Sequence, residues 1–483
     1  MRCGIDFGTT HTVVALVDRG NYPIVSFEHG DVIPSIAAEG PGGELRFGHA
    51  AAQVAGERGW RQARSFKRLL DEKGGRAEVL GLPAADLLTR FLAHLKAELA
   101  NSNAGLRAGE PLEAAISVPA NASTAQRLVT IDAYRRAGFD VKAVLNEPSA
   151  AGFEYAHRFR ETVTSKREYV LVYDLGGGTF DASLIHMEGR ANEVVTSAGV
   201  SRLGGDDFDE AIRALVLEKT PQRARSAGEL QALLDECRAQ KEATNPNTRK
   251  LVVDDVVLPA DEAYARCIPL IEQTLAAMEP AMRDPRREGD AVDWSELAGI
   301  YVVGGASSFP PVYRLLRERF GTHRVRRSPH PFGSCAIGLA IFLDEGAGYR
   351  LTERLSRHFG VFREAEGGDS ISFDVLVPKD TPLPVEVARR YRAAHNLGHY
   401  RFVECGRVDG GRPEGNLALW DEVLFPFDAA LRGAPLEGVP VRRLEGEGPE
   451  IEETYRCSDK GVLEVQLRVI EDGYSRTVTL ARR

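Results

Sequence analysis

The chain has 483 residues, about three domains' worth of length and ample material for a buried core. Its 43% hydrophobic and 27% charged residues are ordinary for a folded protein, and a net charge of −9 with Lys and Arg dispersed in short clusters such as 324–327 excludes a long basic face for nucleic acid. The N-terminal stretch has no basic segment leading into a sustained apolar one, and no apolar run approaches bilayer length, so a cytoplasmic protein bound to neither membrane nor nucleic acid is expected.

The chain opens on an apolar strand, an aspartate, a glycine, threonines and a second apolar strand, GIDFGTTHTVVALV over 4–17. Residues 31–36 predict a turn into a short strand, and 64–70 (RSFKRLL) a helical stretch in which Lys67 reads, by pattern alone, as a solvated charge. Residues 87–99 predict an amphipathic helix with Leu88, Phe91, Leu92, Leu95 and Leu99 on one side. A buried strand over 114–118 stops at Pro119. A helix over 123–138 follows with Leu128, Ile131 and Ala137 inward and Gly138 at its C-terminal stop. A strand over 141–146 meets Glu147-Pro148, which places Glu147 at a strand-to-helix junction; aiming into a cleft and capping the helix of 149–159 are equally good local roles for its carboxylate.

Residues 169–187, YVLVYDLGGGTFDASLIHM, repeat the opening grammar. Three adjacent glycines predict a turn with φ > 0 and no Cβ in the way, whose N–H groups converge on phosphate oxygens. Asp174, at the mouth of a buried strand, is placed to hold Mg²⁺ through its water shell. One such turn is equally an ordinary hairpin with a glycine bulge. Two in one chain, at Asp6 and Asp174 with hydroxyls at Thr9, Thr10 and Thr179, suit two lobes closing on one nucleotide.

Further on, 199–208 predict a glycine turn into a helix through 218, 226–243 a charged helix, 251–258 a strand, and 261–282 a long helix before a polar surface loop over 284–293. Residues 204–260 are expected to form a small inserted lobe. IYVVGGASSFPPVYRLLRERF over 300–320 predicts strand, Gly304-Gly305 turn and helix, and an apolar segment over 336–343 closes this half. Beyond 346 short alternating runs take over, at 370–377, 384–392, 399–408, 421–427, 451–457, 462–470 and 475–480, which predicts an antiparallel β domain. Six cysteines in no CxxC or Cys/His spacing predict reduced thiols, and no P-loop, GxSxG or HExxH is present.

GIDFGTT, VYDLGGGTFD, LNEPSAAGFEYA, LGGDDFD and VGGASSFP, in this order, resemble the seventy-kilodalton heat-shock chaperones, the DnaK-type family. The resemblance implies an α/β, actin-like, two-lobed ATPase domain with ribonuclease H-like cores over 1–345, and an all-β sandwich over 346–483 that ends without the family's helical lid. It implies ATP or ADP and Mg²⁺ as cofactors and a slow ATPase. By motif, Gly8, Thr9, Thr10 and His11 fall in the first phosphate loop, and Gly176, Gly177, Gly178 and Thr179 in the second. Gly204, Gly205, Lys241, Gly304, Gly305 and Ala306 fall among the remaining nucleotide-binding positions. Asp6 and Asp174 match the acids organising Mg²⁺, Asp181 and Glu147 the carboxylates around the attacking water, and Lys67 the catalytic lysine. Pro119 and Arg127 match the switch proline and relay arginine.

The departures are as specific. Ser308 and Glu242 stand where two arginines would sandwich the adenine, so both stacking planes are expected to be lost. A short inserted lobe, and Ala143 in place of an arginine, leave exchange-factor and J-domain partners open. In the β half Phe373 is expected at one wall of a peptide cleft, and Tyr400 at its pocket floor. An open pocket favours a chaperone for unfolded, extended polypeptide, a filled one a nucleotide-responsive scaffold for one dedicated protein. A small-molecule kinase is disfavoured by the β appendage and by NEPSAA.

Overall fold

The structure is a computed structural model and describes residues 1–70, 75–105, 110–120, 122–200, 202–284, 291–365, 370–415, 417–420 and 422–479. It divides into two compact units, Met1–Asn121 with Thr130–Leu351, and Ala122–Val129 with Thr352–Arg483.

The first unit is built on two sheets of matching design. In one, the strand Arg2–Phe7 pairs antiparallel with His11–Leu16 and parallel with Glu113–Val118, which is flanked by Asp140–Asn146. In the other, Tyr169–Leu175 pairs antiparallel with Phe180–Glu188 and parallel with Leu297–Val303. Tyr169–Leu175 is buried along its whole length, and side-chain alternation explains why its sequence reads as a continuous apolar run. Leu171, Tyr173 and Leu175 enter the core shared with the helices Gly205–Lys219 and Ala260–Met278, whereas Val170 and Val172 enter the core shared with Glu147–Arg158 and Ser334–Leu343.

That second core brings the sheets together. Helix Ser334–Leu343 lies so close to its neighbours that a Cβ at Gly338 would sit 1.7 Å from the Ala150 carbonyl, and one at Gly4 would sit 2.2 Å from the Ala336 carbonyl. The amphipathic helix is Ala84–Asn101, with the five expected residues buried.

Several elements differ from expectation. The segment carrying Lys67 is a 3₁₀ helix, Phe66–Leu70, rather than an α-helix. The strand Ala191–Val200, paired with Phe180–Glu188, was not anticipated. Of the inward positions expected on helix Thr124–Arg136, Ile131 is buried but Leu128 and Ala137 are half-buried, and Ala133 and Tyr134 take the interior instead. The run 251–258 is a hairpin, Lys250–Val253 with Val256–Pro259. Asp254 and Asp255 turn it at φ of 51° and 63°, the left-handed pair a two-residue hairpin turn takes and Asp tolerates. The long helix ends at Met278 and tightens into a 3₁₀ turn, Glu279–Met282. Most of the polar loop expected over 284–293 lies outside the described residues.

In the second unit two antiparallel sheets enclose one core. The first runs Ser370–Val377, His358–Ala365, Phe402–Cys405, Ala418–Leu419, and the second Val385–Arg392, Glu450–Cys457, Leu463–Val469, Ser475–Thr479. Phe359, Val361 and Phe402 from one pack with Ile451, Tyr455 and Leu463 from the other, which makes a β-sandwich. The strand His358–Ala365 was not anticipated. The run 399–408 is three strands, because the chain changes partners at Arg401: Leu397–Tyr400 pairs with Val423–Pro426, Phe402–Cys405 with His358–Ala365, and Arg407–Asp409 with Arg412–Glu414. Residues 421 and 480, expected at strand ends, lie outside the described residues. No helix among the described residues is long and apolar enough to cross a membrane, and the six cysteines are buried and unpaired.

Candidate functional site

The two repeated turns close in the same way. Gly8 N–H donates to the His11 carbonyl at 3.0 Å, and Gly176 N–H donates to the Thr179 carbonyl at 3.0 Å. Contrary to expectation, neither Gly8 nor Gly176, Gly177 or Gly178 has positive φ. At Gly8, Gly177 and Gly178 glycine is required for space, whereas at Gly176 a Cβ would meet nothing nearer than 3.5 Å. A Cβ at Gly177 would lie 2.3 Å from Thr10 Cγ2, and one at Gly178 would lie 2.7 Å from Thr9 Cγ2. The turns therefore face each other at contact distance, first-lobe threonines against second-lobe glycines. The turn at Gly204-Gly205 is docked on the second one, with Gly205 N–H donating to the Gly176 carbonyl at 3.0 Å and Asp206 N–H to that of Gly177 at 2.7 Å. The third turn carries the left-handed glycine: Gly304 has φ of 82°, and a Cβ there would meet the Leu175 carbonyl at 2.3 Å.

The acids gather behind these turns. Phe66 packs on Phe7 and Phe91 and fixes the 3₁₀ helix, so Lys67 is directed inward. Lys67 is only 6% exposed; its ammonium donates to the Phe7 carbonyl and, at 2.5 Å, to Glu147 Oε1. Burial works against that charge, but Glu147 and Asp6 outweigh it and raise the ammonium above the ordinary lysine range. Glu147 opens the helix Glu147–Arg158 and is itself 8% exposed, with its carboxylate turned to Lys67. Asp181 stands directly across the hairpin from Asp174. Burial first, then Glu147, pushes Asp6 up to about 6, and burial with Glu147, Asp181 and Asp6 holds Asp174 well above the carboxylate range. Several buried carboxylates around one ammonium are short of positive charge, and a hard dication with oxygen ligands fits that deficit. Among the described residues no group of three or more His, Cys, Asp or Glu side chains converges as direct metal ligands.

Two partners of this cluster had no motif to announce them. Ser117 Oγ donates to Asp6 Oδ1 at 2.7 Å, and Cys335 Sγ donates to the Glu147 carbonyl at 3.3 Å. Arg68, for which the sequence suggested no role, donates to the Gly178 carbonyl at 2.6 Å.

A cavity of about 320 Å³ opens beside Thr10 and Gly177 and extends past Gly305 and Ala306 to Glu242 and Ser308. Lys241, on its wall, donates to the Gly205 carbonyl at 2.7 Å and pairs with Asp209 at 2.6 Å. His11 Nδ1 lies 3.0 Å from Thr10 Oγ1. Ser308 and Glu242, which stand at the two positions where the resemblance places stacking arginines, both line it, and so do Arg327 and Phe332.

Residues 82–348 match the model of the Hsp70 protein family. A Chaperone protein HscA homolog of Laribacter hongkongensis is 34% identical over 99% of this chain and 77% of its own length. The chain belongs to the Hsp70 family. An HscA homolog of Acidithiobacillus ferrooxidans is 30% identical over 80% of this chain, and the match spans 65% of that relative's length. The Chaperone protein DnaK of Thermosipho africanus is 27% identical over 99% of this chain and 80% of its own.

In this Hsp70 family member the expected switch residues fall in different units. Pro119 follows the strand Glu113–Val118 in the first. Arg127 belongs to the second, where it is buried and a Cβ at Gly461 would touch its Cδ at 3.2 Å. In the same unit Thr124 N–H donates to Glu404 Oε2 at 3.2 Å.

A groove of about 680 Å³ in the β unit has Tyr400 at its floor. Tyr400 is 5% exposed, stacked parallel on Phe402 at 5.9 Å, with its hydroxyl 2.6 Å from that of Tyr391. Tyr391 and Tyr455 hydroxyls donate to Glu453, each at 2.6 Å, and Arg363 adds a 2.6 Å ion pair to the same carboxylate. Phe373 is not among the residues that line the groove: it packs with Val403 and Cys405 behind Phe362, its cross-strand partner, whose ring lies 5.4 Å away and lines the groove with Asp374.

Proposed function

We propose that the chain is an Hsp70-type ATPase that binds ATP with Mg²⁺, hydrolyses it to ADP and phosphate, and uses nucleotide state to control how its β unit engages polypeptide. The observation that carries this reading is the buried Lys67–Glu147 pair beside Asp6 and Asp174, at the mouths of two matching turns. Phosphoryl transfer to water requires chiefly positioning and charge neutralisation. In this reading the N–H groups of 8–11 and 176–179 bind phosphate oxygens, with Gly204, Gly205 and Lys241 holding the second turn in shape. Asp6 and Asp174 hold Mg²⁺ through water, and the ion neutralises phosphate charge. Lys67 stays protonated and presents its charge to the transferring phosphoryl group, while Glu147 and Asp181 orient the attacking water. Pro119 and Arg127 pass the nucleotide state on.

A scaffold for one dedicated protein, rather than a chaperone for apolar segments in general, is the second reading, because the groove floor is Tyr400, with its hydroxyl bonded to that of Tyr391, and not an apolar residue. Steady-state ATP hydrolysis tests both. The wild type is expected to turn over ATP only with Mg²⁺, and Lys67→Ala to lose at least about a hundredfold, the usual cost of one transition-state charge partner. A wild type that neither binds nor hydrolyses ATP overturns the ATPase reading. Stimulation by an unfolded apolar peptide selects the chaperone, and its absence selects the scaffold.

A further inference from the structure

We propose that Arg327 and Phe332 form the base-recognition pair of the cavity and receive the flat heteroaromatic base of a nucleoside triphosphate between a planar cation and an aromatic ring. This rests on the ATPase reading and adds to it the residues that read the base. The sequence positions at which planar cations were expected hold Ser308 and Glu242, and neither supplies a plane. The guanidinium comes from another strand. Val325–Arg327 runs parallel to Leu297–Val303 with Val302 beside Arg327, and this register lets Arg327 Nη2 donate to Ser308 Oγ. A guanidinium is thereby held at the spot where the chain itself carries only a hydroxyl.

Phe332 is fixed by a different device. The carbonyl of the preceding Pro331 accepts the Gly304 N–H at 3.0 Å, so the ring is tied to the third glycine turn. It lies on Gly305, where a Cβ would meet ring atom Cε1 at 2.2 Å, and its ring centre is 5.0 Å from that of His11, the two planes inclined at 70°. Even so, the ring is 38% exposed. A phenyl group left open in a cavity of mixed polar and apolar lining that leads from the phosphate-binding turns gains most from a planar ligand, and a guanidinium stacks on such a ligand where an ammonium does not.

The test is isothermal titration of the full chain with Mg-ATP and with Mg-tripolyphosphate, which lacks a base. Arg327→Ala and Phe332→Ala are each expected to weaken Mg-ATP about tenfold, the size of one desolvated stacking contact, and to change tripolyphosphate affinity less than about twofold. Arg327→Lys should fall with Arg327→Ala, because the plane and not the charge is what counts. Mg-ATP bound by all variants as by the wild type overturns the pair. So does an equal loss for tripolyphosphate that Arg327→Lys restores, which would make Arg327 a phosphate contact. A wild type that binds neither probe overturns the ATPase reading, and the pair with it.

Discussion

His11 shows how a single side chain reports on its surroundings. Burial first, then Arg238, His49, Lys241 and Arg64, lowers its imidazolium from 6.5 to about 4. The folded chain therefore holds this ring neutral at pH values where the unfolded chain protonates it. Its contribution to stability is complete above about 6.5 and is lost as pH falls towards about 4. His11→Gln is expected to flatten the fall of the melting midpoint across that window, as read by calorimetry at stepped pH; an unchanged slope would mean that the ring titrates normally. Lys67 shows the opposite limit of sequence reading. By local pattern alone it reads as a surface charge and only the motif resemblance singles it out; the aromatic packing of Phe66 on Phe7 and Phe91 shows why it points inward.

Among the elements, the paired turns and the sandwich core each carry one prediction. Gly177→Ala places a methyl group 2.3 Å from Thr10 Cγ2, so the turns must separate. Because the clash lies at the cleft and not in either core, nucleotide affinity should drop more than about tenfold while the melting midpoint moves by a few degrees. In the second unit Glu453 is fully buried and accepts from Arg363, Tyr391 and Tyr455. Glu453→Ala removes the carboxylate, leaves the half-buried Arg363 guanidinium with Asp374 alone and takes one acceptor from each of two tyrosine hydroxyls, a loss of about 3 kcal/mol, the low end for a broken buried pair. Urea unfolding followed by fluorescence should show it. A loss below about 1 kcal/mol would mean that the groove floor is wet and the network loose. Elements with a clear period, such as Ala84–Asn101, were readable from the sequence. The hairpin at Asp254-Asp255 and the three strands at 397–409 were not, because a two-residue turn and a change of strand partner leave the alternation of side chains unbroken.

For the molecule as a whole, a nucleotide bound only by the folded state must stabilise it. Mg-ATP at a hundred times its dissociation constant should add about 2.7 kcal/mol to the transition of the first unit, and chelating Mg²⁺ should remove most of that shift. Scanning calorimetry with and without chelator measures it; an ATP shift indifferent to chelator would take Mg²⁺ out of the account. The sequence by itself determined the repeated acid–glycine–threonine bends, the family they belong to and the change from α/β to β texture near 346, because turn chemistry and apolar periodicity are local properties. The fold decided what completes the cleft. Ser117 reaches Asp6 across 111 positions and Cys335 reaches Glu147 across 188, while Arg327 and Phe332 enter a cavity whose phosphate turns lie at the chain's beginning and middle. No local pattern records such meetings, because they follow from parallel pairing of strands distant in sequence, which sets Asp6 beside Ser117 and Val302 beside Arg327, and from helix Ser334–Leu343 packing at backbone contact against its neighbours.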